Sequence, residues 1–247
     1  MTAPHKTAAA LIIGNEILTG KVQEANVAYL ARELFNLGVE LKRVVVCTDE
    51  VETIAEEIND LRRRFDTLFT SGGVGPTLDD LTMRAVARAF DRPLVRSPEL
   101  EGLLRRHFGD RLTPAHLRMA DLPEGTELVA TGEMRWPTVL VENVWVLPGL
   151  PEVFRMKFPI IRERLRAGPP FISRAVYTRC DEGEIADLLE RLDREHPAVT
   201  VGSYPVWGGE SYSVKITFDG RDREAIDHAA EAFIAALPAG KLAPEPA

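Results

Sequence analysis

Apolar positions in the first ninety residues follow two alternating patterns. Residues 8–13 form an unbroken apolar run, the mark of a strand buried on both faces. Val27, Leu30, Leu34 and Leu37 then recur at helical spacing and stop at Gly38. Residues 41–47 form a second β-rich run, followed by the helical stripe Ile54, Ile58, Leu61 and Phe65. Residues 67–70 read as a third strand, and Leu81, Ala85, Val86, Ala89 and Phe90 as a third helix. Strand and helix alternate with short connections, which predicts right-handed crossovers and a parallel sheet covered on both faces.

The pattern then loosens. Pro93, Pro98, Pro114, Pro123 and Pro137 punctuate a long excursion in which only residues 98–108 suggest a helix. Residues 138–147 read as one or two strands around Glu142-Asn143, and residues 153–165 as a helix. Gly168-Pro169-Pro170 marks a boundary, since these residues continue neither element. This gives an α/β domain over residues 1–167 and a small α+β domain over residues 168–247. The second reads as strand (172–179), helix (184–192), two strands (198–202 and 212–218) and helix (223–236). Residues 239–247 lack any periodic face and read as a loose tail.

Composition narrows the classes. Of 247 residues, 45% are hydrophobic and 28% charged, enough for a large core without staples. The net charge of −8 argues against a nucleic-acid or anionic-membrane binder, so an anionic ligand must be held by local features. No apolar run approaches the ~20 residues of a membrane span, and the short N-terminus does not read as a secretory signal. Cytoplasmic location is expected. Cys47 and Cys180 lie in strand-like contexts and read as buried thiols. The five histidines show no metal-ligand spacing.

The densest chemistry lies in residues 70–82, Thr-Ser-Gly-Gly-Val-Gly-Pro-Thr-Leu-Asp-Asp-Leu-Thr. A glycine turn between a strand and a helix presents N–H groups to an anion. Two carboxylates just beyond would repel a bare phosphate, so they point to a bridging divalent cation. The competing reading is a tight connection with Thr77 or Asp79 as helix N-cap. The loop lacks the third glycine of a dinucleotide fingerprint, and residues 14–22 miss the Walker A spacing and its Ser/Thr. Residues 14–20 still open at the same carboxyl edge of the sheet, where open α/β folds bind ligands. Glu16 there is a second metal or ribose ligand, or a solvated carboxylate. Asn26 reads equally well as an N-cap. Pro148-Gly149-Leu150-Pro151 is a candidate third wall of the crevice. Trp207, near Tyr204, could stack on a base or pack in a hairpin turn.

Taken together, the 14–20 segment with Asn26 and Asp49, residues 70–82, and Leu147-Pro148-Gly149-Leu150-Pro151 resemble the molybdopterin-binding-type domain of the CinA family. That domain also forms the N-terminal part of eukaryotic FAD synthases. Residues 202–207 and 212–216 and Arg135-Trp136-Pro137 resemble the FAD-synthase version. The resemblance implies a Rossmann-like three-layer fold and a metal-dependent pyrophosphatase, cleaving FAD to FMN and AMP or ADP-ribose to AMP and ribose 5-phosphate. The altered segment at residues 135–138 makes FAD the open alternative to ADP-ribose. Motifs of the CinA deamidase and FAD-synthase adenylyl-transferring domains are absent from these residues, so neither nicotinamide deamidation nor FAD synthesis is expected.

The combined reading names Gly14, Asn15, Thr19, Asn26, Ser71, Gly72, Gly73, Gly75, Pro76, Thr77, Thr82, Pro148, Gly149 and Pro151 as substrate-binding. Asp80 and Asp79 are the expected catalytic residues and, with Glu16, the ligands of Mg2+, Mn2+ or Co2+. The diphosphate is expected on the N–H groups of Gly72, Gly73 and Gly75, with Ser71, Thr77 and Thr82 donating to phosphate oxygens or fixing the carboxylates. The alternative is a pterin or nucleotide binder without hydrolysis, in molybdenum-cofactor synthesis or regulation. Self-association is expected from the resemblance, with the C-terminal part as the candidate surface.

Overall fold

The computed structural model describes residues 6–130, 136–165, 168–209 and 211–246. The chain divides into two compact units, Met1–Gly168 and Pro169–Ala247.

In the first unit β1 (Thr7–Ile13) is buried at six of seven positions, as its apolar run demands. β1 pairs in parallel with β2 (Glu40–Cys47) on one side and β3 (Thr67–Ser71) on the other. The chain order therefore reverses between β1 and β3, the topological switch at which open sheets leave a crevice. β3 pairs in parallel with β8 (Val144–Leu147). Beyond it the sheet departs from the expected all-parallel form. β7 (Thr138–Val141) and β6 (Glu127–Val129) are antiparallel, giving the order β2-β1-β3-β8-β7-β6. Residues 138–147 are thus two strands, joined at Glu142-Asn143 with Glu142 at φ +53°. The excursion adds a separate pair, β4 (Leu94–Arg96) against β5 (Asp121–Pro123).

Alternate residues of β1 face opposite helical layers. Ala9, Leu11 and Ile13 pack with Ile54, Ile58 and Leu61 of α3 (Val51–Arg64) and Ala85 and Val86 of α4 (Thr82–Ala89). Ala8 and Ala10 pack with Leu30 and Leu34 of α2 (Asn26–Asn36) and Phe154 and Phe158 of α7 (Pro151–Leu165). Coverage is incomplete at the edge, where Val44 and Val46 of β2 are exposed. The remaining helices of this unit are α1 (Asn15–Leu18), α5 (Pro98–Phe108) and α6 (Pro114–Arg118). α1 occupies ground that reads as loop in the sequence; one helical turn has too few residues to show a period.

The second unit is a four-stranded antiparallel sheet, β10 (Thr200–Pro205), β11 (Val214–Gly220), β9 (Ile172–Thr178) and β12 (Leu242–Ala243), in that order. Val176, Ile216 and Phe218 pack against Ile185 of α8 (Glu182–Glu195) and Ile226 and Phe233 of α9 (Arg223–Ala236). β12 corrects the reading of residues 239–247 as a loose tail. The Lys241 carbonyl accepts from the Arg179 N–H at 2.8 Å and the Thr178 hydroxyl at 3.0 Å, anchoring it. A two-residue strand carries no detectable alternation.

Candidate functional site

Three loops converge at the carboxyl ends of β1, β3 and β8. Each is locally over-determined. Gly72 has φ +113°, and a Cβ there would stand 2.1 Å from the Ile13 carbonyl oxygen. Gly73 has φ +62°, and a Cβ would meet the Thr82 hydroxyl at 2.5 Å. Only glycine fits both positions, which is why the turn can fold back over β1. Thr82 completes the turn: its hydroxyl donates to the Gly72 carbonyl at 2.8 Å and its N–H to the Gly73 carbonyl at 3.0 Å. Thr82 is fully buried, so it shapes the loop, in place of the phosphate contact expected of it.

Asn26 ties the loops together. It is the first residue of α2 and does not cap it; the Glu24 carboxylate does, accepting from the Asn26 N–H at 2.6 Å and the Val27 N–H at 3.0 Å. The Asn26 amide instead donates to the Ser71 hydroxyl at 2.9 Å and the Gly149 carbonyl at 2.8 Å. Its Oδ1 is buried without a partner among the described residues. Asp49 anchors the first loop by accepting from the Asn15 N–H at 2.8 Å. Gly14 donates its N–H to the Cys47 carbonyl at 3.2 Å, and the Thr19 hydroxyl donates to the Asn15 carbonyl at 2.8 Å. Gly14, Asn15 and Thr19 therefore build the loop that presents Glu16.

These loops enclose a cavity of about 600 Å3. Of the expected residues it is lined by Glu16, Asn26, Ser71, Gly72, Gly73, Gly75, Asp80, Pro148, Gly149 and Pro151. Gly14, Asn15, Thr19, Pro76, Thr77, Asp79 and Thr82 stand outside its lining. Leu150, in the expected third wall, lines it too, and Glu24 and Met119 line it as well, unforeseen in the sequence. Glu24 is visible in retrospect as a carboxylate just before a helix start. Met119 comes from the irregular excursion, where no pattern places it.

Two electrostatic facts govern what the cavity can hold. None of its lining residues is Lys or Arg. Its N–H donors are fewer than expected, because Gly72 spends its N–H on the Leu147 carbonyl at 3.1 Å. The Gly73 and Gly75 N–H groups have no intramolecular acceptor among the described residues. Neither Thr77 nor Asp79 caps α4, whose N-cap is Leu81 with no side-chain bond. Thr77 instead gathers both aspartates. Asp80 Oδ2 accepts from the Thr77 N–H at 2.7 Å and lies 2.5 Å from its hydroxyl. That hydroxyl also lies 2.5 Å from Asp79 Oδ1 and holds the Asp79 carboxyl below the usual carboxylate range. The Pro76 carbonyl accepts from Arg118 Nη2 at 2.9 Å, bracing the loop.

The metal expectation can be tested against this donor set. Among the described residues no group of three or more His, Cys, Asp or Glu side chains is placed to hold a metal. Glu16 and Asp80 line the cavity while Asp79 is exposed outside it. Two carboxylates do not make an all-protein cage; magnesium sites with so few protein ligands complete their shell with substrate phosphates and water.

Other residues singled out in the sequence lie apart from this chemistry. Of the histidines, to none of which the sequence gives a role, His116 completes a capping box, its Nδ1 accepting from the Thr113 N–H at 3.2 Å while its ring stacks 3.8 Å from Phe108. Trp207 is fully exposed in the β10–β11 turn, so the turn is present and its tryptophan is not packed. Arg135 lies outside the described residues.

A parallel-centred three-layer unit with its crevice at the β1/β3 switch, followed by a small antiparallel α+β unit, defines a molybdopterin-binding-type fold. Residues 9–167 match the family described as "Probable molybdopterin binding domain", and residues 170–246 match "FAD synthase, middle domain". The chain belongs to this molybdopterin-binding-domain family. An Archaeoglobus fulgidus protein is 35% identical over 221 residues, covering 90% of this chain and 93% of that one. A Caenorhabditis briggsae "Probable FAD synthase" is 30% identical over 252 residues, and the match spans 48% of that protein. A CinA-like protein of Gemmatimonas aurantiaca is 32% identical over 221 residues, covering 83% of this chain and 51% of that one. The crystal structure of CinA from Thermoplasma acidophilum, titled as of unknown function, superposes with a TM-score of 0.60 at 25% identity, covering 65% of this chain and 98% of that one. No described helix is long and apolar enough to cross a membrane.

Proposed function

We propose that this chain is a divalent-metal-dependent pyrophosphatase that hydrolyses the phosphoanhydride of a dinucleotide, FAD to FMN and AMP or ADP-ribose to AMP and ribose 5-phosphate. The observation that carries this reading is a cavity with free glycine N–H groups, the carboxylates of Glu16 and Asp80 beside the helix-capping Glu24, and no lining Lys or Arg. A passive anion pocket gains nothing from Glu16 and Asp80; a cation shared with phosphate oxygens gives both a role.

In this reading the Gly73 and Gly75 N–H groups hold phosphate oxygens where negative charge grows as water adds to phosphorus and the bridging P–O bond breaks. The start of α7 at Pro151 opens on the same cavity and favours that charge. α2 does not contribute this way, because Glu24 already occupies its N-terminus. Thr77 fixes Asp80 through Oδ2 and leaves Oδ1 out of both contacts. A cation held by Asp80 and Glu16 supplies charge neutralisation and Lewis acidity.

The test is release of AMP from FAD and from ADP-ribose, followed by chromatography with Mg2+, Mn2+ or Co2+ and with a chelator. Metal-dependent AMP from either substrate supports the proposal. Neither substrate yielding AMP under any metal overturns it. The second reading, a pterin-phosphate carrier without hydrolysis, draws on the family of residues 9–167 and predicts retention of a pterin without turnover.

A further inference from the structure

A second cavity of about 400 Å3 adjoins the polar one, and Val74, Met119, Pro148 and Val153 line both. Its walls are almost wholly apolar. His107, Phe108 and Trp136 supply ring faces, and they are held in place by mutual packing: the His107 ring lies 4.8 Å from Phe108 and 5.4 Å from Trp136, edge to face. A volume near 400 Å3 falls in the range of small-molecule sites, roughly 300–1,000 Å3.

Besides the His107 imidazole, two polar groups interrupt this apolar lining. Lys157 reaches in from α7, and its ammonium donates to the Trp136 carbonyl at 2.7 Å and the Pro137 carbonyl at 2.5 Å. An ammonium has three N–H donors, so one is unspent. No carboxylate accompanies it in the cavity lining. Thr138, the next residue along and the first of β7, is 1% exposed, and its hydroxyl is buried with no hydrogen-bond partner. Leaving such a hydroxyl unpaired keeps its full desolvation penalty uncompensated. An apolar, aromatic-walled cavity gains nothing from an unspent donor and an orphaned hydroxyl on one wall, unless a ligand brings complementary groups.

We propose that this cavity seats the fused heteroaromatic ring of the ligand. Lys157 donates to an acceptor on the ring edge, and the Thr138 hydroxyl accepts from a neighbouring N–H on the same edge. The proposal rests on the pyrophosphatase reading only for the ligand's diphosphate, which would lie across the shared wall. Burial pushes the Lys157 amine down to about 8. An edge with an acceptor beside an N–H donor occurs on both an isoalloxazine and an adenine, and the experiment separates them. The flexible thioethers of Met83, Met119 and Met156 allow the walls to close on either ring.

The test uses riboflavin and adenosine as phosphate-free probes, titrated calorimetrically up to millimolar concentration with a metal chelator present. Saturable one-to-one binding of either probe is expected, and the probe that binds names the ring. Thr138→Val and Lys157→Met should each weaken that binding about tenfold, some 1.4 kcal/mol, with circular dichroism unchanged. Lys157→Met also removes two loop contacts, so Thr138→Val, which keeps the shape of the side chain, is decisive. No binding of either probe, or wild-type affinity in Thr138→Val, overturns the proposal. The two readings fail separately: AMP release without probe binding removes only the ring site, and probe binding without AMP release removes only the pyrophosphatase.

Discussion

The Asn26 amide donates to the Gly149 carbonyl at 2.8 Å across 123 positions of chain, and it reaches Ser71 at 2.9 Å with the same nitrogen. One side chain thus joins the loops after β3 and β8 to the start of α2. Because Gly149 and Ser71 both take the amide nitrogen, Oδ1 is left as a buried acceptor in the lining of the polar cavity. Asn26→Ala should lower stability by about 1–3 kcal/mol, the cost of removing the buried bond to Ser71 and the part-buried one to the Gly149 carbonyl, measured by the urea midpoint. The thermal shift produced by ADP-ribose with Mg2+ should disappear in the same variant. A variant as stable as wild type would remove the tie from the account of the site.

The two aspartates after the glycine bend are neighbours in sequence and differ in placement. Asp80 lines the cavity and Asp79 does not. Asp80→Ala should therefore cut AMP release by about 100-fold or more, while Asp79→Ala stays within about threefold of wild type. Turnover by the two variants, with unchanged circular dichroism, checks this. Equal losses would mean that both carboxylates contact the reacting phosphates.

Lys157 makes stability depend on pH in an identifiable direction. Its amine is pushed from the usual 10.5 down to about 8 by burial. Between these values the unfolded chain keeps a proton that the folded chain has lost, so this residue's contribution to stability rises with pH from about 8 to 10.5. Below about 8 both states are charged and the burial penalty is complete. The stability of wild type relative to Lys157→Met, from urea titrations at pH 7 and pH 10, should rise with pH. A difference that is the same at both values would place the amine in contact with water.

In the second unit, β12 predicts a cost for removing the final residues. Deletion of residues 239–247 frees the Arg179 N–H and the Thr178 hydroxyl and exposes β9 beside the lost Ala243. A loss of about 1–3 kcal/mol is expected, followed by denaturant unfolding of full-length and shortened chains. Identical midpoints would return these residues to the status of a tail.

The order of the longer strands and helices was readable from the sequence, because each period is a property of a few adjacent residues; the short elements α1, β4, α6, β5, β6 and β12 were not. The buried run of β1, the stripes of α2 and α3, and the helix over Pro98–Phe108 all follow from local spacing. The glycine bend and its aspartates were readable for the same reason: tight turns and neighbouring charges are local chemistry. What tertiary structure alone decided is which groups are spent and which remain free. Gly72 looks like a phosphate donor until β8 takes its N–H, Thr82 looks like a ligand until the Gly72 carbonyl takes its hydroxyl, and Thr138 looks like an ordinary strand residue until it is buried without a partner. Hydrogen-bond partners and burial are set by elements tens of residues away, and no local pattern encodes them.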